Sequence, residues 1–173
     1  MTSRLFLIRL PLLLITVLVV QHSGIGDISI QSVRPDFMLA LVCASGVVGG
    51  REKGALIGFL AGILTDSFLV TPFGFTALVY TIVGYLAGEM ERLDQEQNRI
   101  LDYLVVGAAS ALGVSLESGL GFLLGVHDPL RRIFVTELAV VSLINLAISP
   151  LLVFGARFSL VPQGSERRIS SRR

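Results

Sequence analysis

Four carboxylates, Asp36, Asp66, Glu117 and Glu137, stand in or beside long apolar runs of this 173-residue chain. A carboxylate in an apolar segment is expensive unless it is paired or wetted. Two of them facing each other could do general acid/base work, but the chain supplies no companions for it. His22 and His127 fall at the ends of apolar runs, and no Ser-His pairing is evident. The single Cys43 has no partner for an internal disulfide. Cys and His have no metal-ligand spacing, and no glycine-rich loop follows a strand as a phosphate cradle would. The sequence therefore assigns no catalytic residue, no metal and no cofactor, and points away from an enzyme.

Each carboxylate then has a binding reading and a structural one. Asp66 falls about 12 residues, roughly 18 Å, into its helix. It is either a ligand, proton or partner site, or it accepts N–H or hydroxyl donors from the 71–75 turn and caps the next helix. Thr71 and Thr76 are near enough to supply hydroxyls. The structural reading is the expectation. Glu117 and Glu137 are expected to pair with Arg131 or Arg132, Glu137 at helical i,i+4 or i,i+5 spacing. The competing reading is one polar cavity shared by Asp66, Glu117 and Glu137, which would suit a small ligand. Asp36, which follows Pro35, is expected to cap a helix.

Glycines organise the elements that position these groups. Gly54, Gly58, Gly62 and Asp66 recur every four residues and so share one helix face. Such a face lets a neighbouring backbone approach closely in lipid. Pro72 and Gly74 then break the chain, and the returning helix carries a second pair, Gly84 and Gly88. Packing inside one chain is the expected use of Gly54, Gly58, Gly62, Gly84 and Gly88, with docking of a partner's helix as the alternative. A further small-residue line, Gly107, Ala111, Ser115 and Gly119, is read as another packing face; Glu117 lies off it, between Gly113 and Gly121.

Composition sets the class. The chain is 53% hydrophobic and 16% charged, against about 25% charged for a soluble domain, and its mean hydropathy is +0.77. The reading is all-α: a polytopic integral membrane protein in a single transmembrane domain, residues 1–157. Six transmembrane helices are expected at about 5–21, 37–50, 54–70, 75–88, 104–126 and 133–156. Residues 158–173 form a basic tail expected to be disordered. A cleaved signal peptide competes for the first run, but QHSGIGD after it offers no clean cleavage site. The second run is short, roughly 21 Å of helix against a hydrocarbon core of roughly 30 Å. It must thin the bilayer, borrow flanking residues or be re-entrant. Residues 89–102 read as a solvated helical extension, and Pro150 as a kink in the sixth helix.

The basic residues orient this arrangement. With six spans and both termini cytoplasmic, 11 of the 14 Lys and Arg lie inside; the inverted arrangement leaves 3. A five-span alternative with 37–50 re-entrant puts 10 inside but exposes Arg4 and Arg9. The Arg167–Arg168 and Arg172–Arg173 pairs could hold anionic lipid, though fixing topology suffices as their role. There is no folded basic surface or aromatic platform for nucleic acid.

Pro35-Asp36, the G-x-x-x-G at 58 and 62, Asp66, Pro72-x-Gly74 and Gly84-Tyr85-x-x-Gly88 occur in order and at compatible spacing. This set resembles the rod shape-determining MreD family over about residues 30–90. The first and last two spans match only in hydropathy and length, and the basic tail has no counterpart in the family pattern. The resemblance implies a bacterial inner-membrane protein of the cell-elongation machinery, without enzyme activity. It implies association with MreC, which works with the MreB filament, RodA and a class B penicillin-binding protein. It also implies a fold like the S components of energy-coupling-factor vitamin transporters. The expected function is a membrane scaffold that binds MreC and links it to peptidoglycan synthesis. The alternative is an S-component-like subunit that binds and transports a small molecule.

Overall fold

The computed structural model describes residues 2–23, 35–68, 72–92, 99–125 and 134–160; the side chains of 2–7, 91–92 and 134 are outside that description. Six helices account for nearly all of it: α1 (Thr2–His22), α2 (Phe37–Gly49), α3 (Arg51–Asp66), α4 (Phe75–Arg92), α5 (Arg99–Leu123) and α6 (Phe134–Leu160). The third helix is earlier than expected, starting at Arg51 and ending at Asp66 rather than running from 54 to 70. The fifth starts at Arg99 rather than 104, because residues 99–102 at the end of the charged connector belong to α5. α6 runs on to Leu160, so residues 158–160 of the expected disordered tail are helical; the remainder of the tail and the 126–133 turn, with Arg131 and Arg132, lie outside the described residues.

The short second helix is the hub. Met38 to Ala44 are each 0–1% exposed, so α2 is enclosed on all sides, with α1, α3, α4, α5 and α6 against it. A helix apolar all round is a core helix. The three accommodations expected for a lipid-facing short span are therefore unnecessary, since α2 meets protein rather than acyl chains. Gly50, at φ 80°, lets α2 end and α3 begin at one residue. A side chain rarely adopts that conformation.

Backbone meets backbone around α2. A Cβ on Gly54 would come closer than 3.0 Å to Gly84 O and to Gly46 Cα. One on Gly58 would strike the Tyr80 carbonyl, and one on Gly62 the Ala77 Cα. Gly84 and Gly88 are equally crowded from the other side, by Gly54 and by Gly50–Arg51. Thus α2, α3 and α4 touch through glycine at one point, Gly46–Gly54–Gly84, and α3 and α4 stay in contact along their length. The 107/111/115/119 line does not behave this way. Gly107 packs on Leu146, but Ser115 and Gly119 are exposed and a Cβ on Gly119 meets open space. The buried face of α5 is instead Val106, Ser110, Gly113, Val114 and Gly121. Small-residue spacing names a face that could pack closely, not the one that does.

The outer surface is apolar. Leu12, Phe73, Leu151 and Phe154 are 65–71% exposed, while Asn145, Ser110 and Ser149 are fully buried. Polar groups inside and Leu and Phe outside is the arrangement lipid favours, because interhelical hydrogen bonds replace a hydrophobic drive between helices. Two helices, α5 and α6, are long and apolar enough to cross a membrane, and shorter apolar helices lie at Ile8–His22, Phe37–Gly49 and Phe75–Met90. These helices are consistent with an integral membrane protein.

Gly58→Leu should lower stability by about 3 kcal/mol or more, since the listener across the contact is backbone and cannot repack. Gly119→Leu should stay within about 0.5 kcal/mol. Melting temperatures of the two purified variants in one detergent check this pair.

Candidate functional site

The two ends of the bundle differ in their electrostatics. At the end where α3 and α5 start and α4 and α6 finish, charges are paired across helices. Arg157 binds Asp102 at 2.7 Å and Arg51 binds Glu89 at 3.3 Å. Arg9 of α1 donates to the Phe158 carbonyl at 3.3 Å, with its guanidinium 4.5 Å from the Phe158 ring centroid. Asp102 is 7% exposed, so it is not part of a solvated connector as expected; it ties α5 to α6.

The opposite end, where α2, α4 and α6 start, gathers the four carboxylates. Asp66 is buried at the end of α3. Its Oδ2 accepts the N–H groups of Gly74 at 2.9 Å and Ala77 at 3.2 Å, and its Oδ1 that of Thr76 at 3.0 Å. These are the orphan donors at the start of α4, and a carboxylate there also meets the positive end of the helix dipole. The donors are backbone groups; the Thr76 hydroxyl is buried without a partner among the described residues, and Thr71 lies outside them. Pro72 and Gly74 shape the turn: Phe75 N–H bonds to the Pro72 carbonyl at 3.1 Å, and Gly74 has φ 96°, as the third residue of a type II turn requires.

Asp36 caps α2 by accepting Leu39 N–H at 3.0 Å, and its other oxygen accepts the Tyr80 hydroxyl at 2.6 Å. Gln21 of α1 accepts the neighbouring Met38 N–H at 2.8 Å. Tyr80 is 2% exposed and joins α4 to the start of α2. Sequence reasoning missed it; a tyrosine in mid-span, where its hydroxyl needs a polar partner, was the available signal. Below this cluster, Asn145 donates to Ser110 Oγ at 3.0 Å, and Ser110 in turn reaches the Val106 carbonyl at 2.8 Å. That pair links α6 to α5 beside Cys43, whose Sγ lies 3.9 Å from Ser110 Oγ.

Glu117 faces the same cluster from α5, where the charges of Asp36, Glu137 and Asp66 act on it. Among the described residues it has no hydrogen-bond or ion-pair partner. Glu137 is exposed at the start of α6. Their expected pairing with Arg131 or Arg132 falls outside the described residues. The five glycines are all occupied within the chain, so the face of Gly54, Gly58 and Gly62 is covered by α4 and offers nothing to a partner helix. Among the described residues no group of three His, Cys, Asp or Glu stands together as a metal site.

A helical bundle with an apolar exterior and a capped glycine hairpin is consistent with an integral membrane protein. The family model for rod shape-determining protein MreD matches residues 2–158, and the chain belongs to the MreD family. Neither a curated protein nor a solved structure matches it. Membership carries a rod shape-determining role without enzyme activity, and suggests association with the cell-shape machinery.

Asp66→Ala removes the acceptor for three helix-start donors and should cost about 3 kcal/mol or more, with Asp66→Asn costing less. Tyr80→Phe should cost about 1.5–3 kcal/mol, because it deprives a carboxylate of its hydrogen bond. Thermal unfolding of the three variants against the parent protein reads both effects.

Proposed function

We propose that the protein is a six-span scaffold of the bacterial inner membrane, with both termini cytoplasmic. In this reading it binds MreC and through it supports RodA and its class B penicillin-binding partner during elongation. Three lines support it: membership of the MreD family, the lipid-suited exterior, and the excess of Lys and Arg on one side. The paired end, with Arg9, Arg51 and Arg157, then faces the cytoplasm, and the carboxylate-rich end faces outward. α2 counts as a span by being enclosed within the other helices, not by matching the bilayer.

The observation that carries the scaffold reading is the rigid α2–α3–α4 unit. Its backbones are locked by glycine, and the bound Asp66 and Asp36 have no acceptor oxygen without a donor. Such a unit performs no chemistry; its binding free energy would hold or select a conformation of its partners. Because the glycine faces are consumed internally, partners must bind the exterior of α1, α5 or α6, or the loops. The S-component-like alternative draws on one observation, that Glu117 has no partner among the described residues.

Depletion of the protein should turn rods into spheres, and the wild-type gene should restore them. The tagged protein should recover MreC and the elongation synthase from mild-detergent membranes. Normal shape after depletion, or recovery of an energy-coupling ATPase in place of MreC, would contradict the scaffold.

A further inference from the structure

The cations at the end of the bundle where α6 finishes are held differently. Arg51 and Arg157 each bind an acid across helices, and Lys53 and Arg99 stand exposed. Arg9 is half-buried, yet it meets no carboxylate among the described residues. Its Nη1 donates to the Phe158 carbonyl at 3.3 Å, and the Phe158 ring lies under its guanidinium, 4.5 Å from the centroid. A carbonyl carries no net charge, and a guanidinium has four more donors to offer. The ring holds the fork in place through its π face without answering those donors.

Arg9 heads a seam between α1 and α6. Arg9 and Leu13, one turn apart, form the edge of α1 that meets α6. Leu13 Cδ1 lies 3.4 Å from where a Cβ on Gly155 would stand, and Arg9 lies on Phe158, so the two helices run antiparallel. Beside that edge α1 presents Leu12, 65% exposed, and Val19, 60% exposed. Across it α6 presents Leu151 and Phe154, 70% and 71% exposed. Gly155 puts no side chain between the two rows. The Thr16 hydroxyl is bound to the Leu12 carbonyl at 2.7 Å, so the length of the seam is apolar. Between Arg9 and Val19 α1 rises about 15 Å, the depth of one leaflet of a core roughly 30 Å thick.

We propose that an anionic glycerophospholipid occupies this seam, with its phosphate on the Arg9 guanidinium and an acyl chain along Leu12, Leu151 and Phe154. A guanidinium matches a phosphate with two parallel hydrogen bonds. A zwitterionic headgroup brings its own ammonium to its phosphate, so a guanidinium without a counter-ion favours a lipid of net negative charge. The Leu and Phe rims hold another helix backbone at a distance, whereas close helix docking in lipid needs small residues; a flexible acyl chain fits between such rims. A lipid that bridges α1 and α6 binds only the folded protein and so stabilises it. The site goes beyond the scaffold reading and does not depend on it.

The test uses the full-length protein purified in mild detergent, with dioleoyl phosphatidylglycerol and dioleoyl phosphatidylcholine as probes. The melting temperature of the wild type should rise saturably with both, at about tenfold lower concentration of phosphatidylglycerol. Arg9→Gln should need about tenfold more phosphatidylglycerol and an unchanged amount of phosphatidylcholine. Arg9→Lys keeps the charge without the fork, and guards against a folding defect in Arg9→Gln. It should melt as the wild type does without lipid, and bind phosphatidylglycerol about threefold more weakly. Phe154→Ala should weaken both lipids about threefold. Arg99→Gln, at an exposed cation of the same end, should change neither by more than about twofold. Equal affinity of the wild type for the two lipids, or no loss in either Arg9 variant, overturns the proposal. Equal losses in Arg9→Gln and Arg99→Gln also overturn it, as diffuse attraction to a basic end. A shift that inorganic phosphate reproduces points to a free anion and overturns the lipid. A protein that the wild type captures and Arg9→Gln does not, with phosphatidylglycerol binding unchanged, places a partner's acid at Arg9 and overturns it too.

Discussion

Three helix backbones touch at Gly46, Gly54 and Gly84, and the rest of the bundle is arranged around that contact. In lipid there is little hydrophobic gain from bringing apolar helices together, so close van der Waals packing must supply the attraction. Glycine permits the approach, and the cost is a backbone that no side chain would otherwise stiffen. The structure offsets that cost at the helix ends. Gly50 joins α2 to α3 with no intervening loop, and Asp66 fastens the end of α3 to the start of α4 with three hydrogen bonds. Tyr80 and Asp36 then close the triangle between α4 and α2.

The remaining helices attach to this unit by different means. α5 and α6 are joined to each other at mid-depth by Asn145 and Ser110 and at one end by Arg157 and Asp102. α1 is held at two points, through Gln21 at the start of α2 and Arg9 at the end of α6. One end of the molecule is thus clamped by opposite charges across helices, while the other concentrates carboxylates. In the proposed orientation those carboxylates lie toward the outer side of the membrane. A scaffold built in this way has a stiff centre and an exterior free to meet lipid or other helices.

Much of this was legible in the sequence because glycine, proline and aspartate act locally. The four-residue spacing of Gly54, Gly58, Gly62 and Asp66 specifies one face, and Pro72-x-Gly74 specifies a turn. Together they require a hairpin whose two helices pack closely. The capping of α2 by Asp36 follows from the same local rules. What spacing could not reveal is which neighbour a face meets. The line through Ala111, Ser115 and Gly119 has the right residues but turns outward, whereas Gly46 stands in a run too short to suggest a hub. Asp102 looked solvated because its partner, Arg157, is 55 positions away. Tyr80 was passed over for the same reason, its acceptor being 44 positions back.

The central claim, that α3 and α4 are held backbone to backbone, is tested most directly by solid-state NMR of the carbon-13-labelled protein in lipid bilayers. The account predicts direct through-space cross-peaks between Gly54 and Gly84 and between the Cα atoms of Gly62 and Ala77. Helical chemical shifts for both segments without those cross-peaks would contradict it, and would mean that something other than glycine contact holds the bundle together.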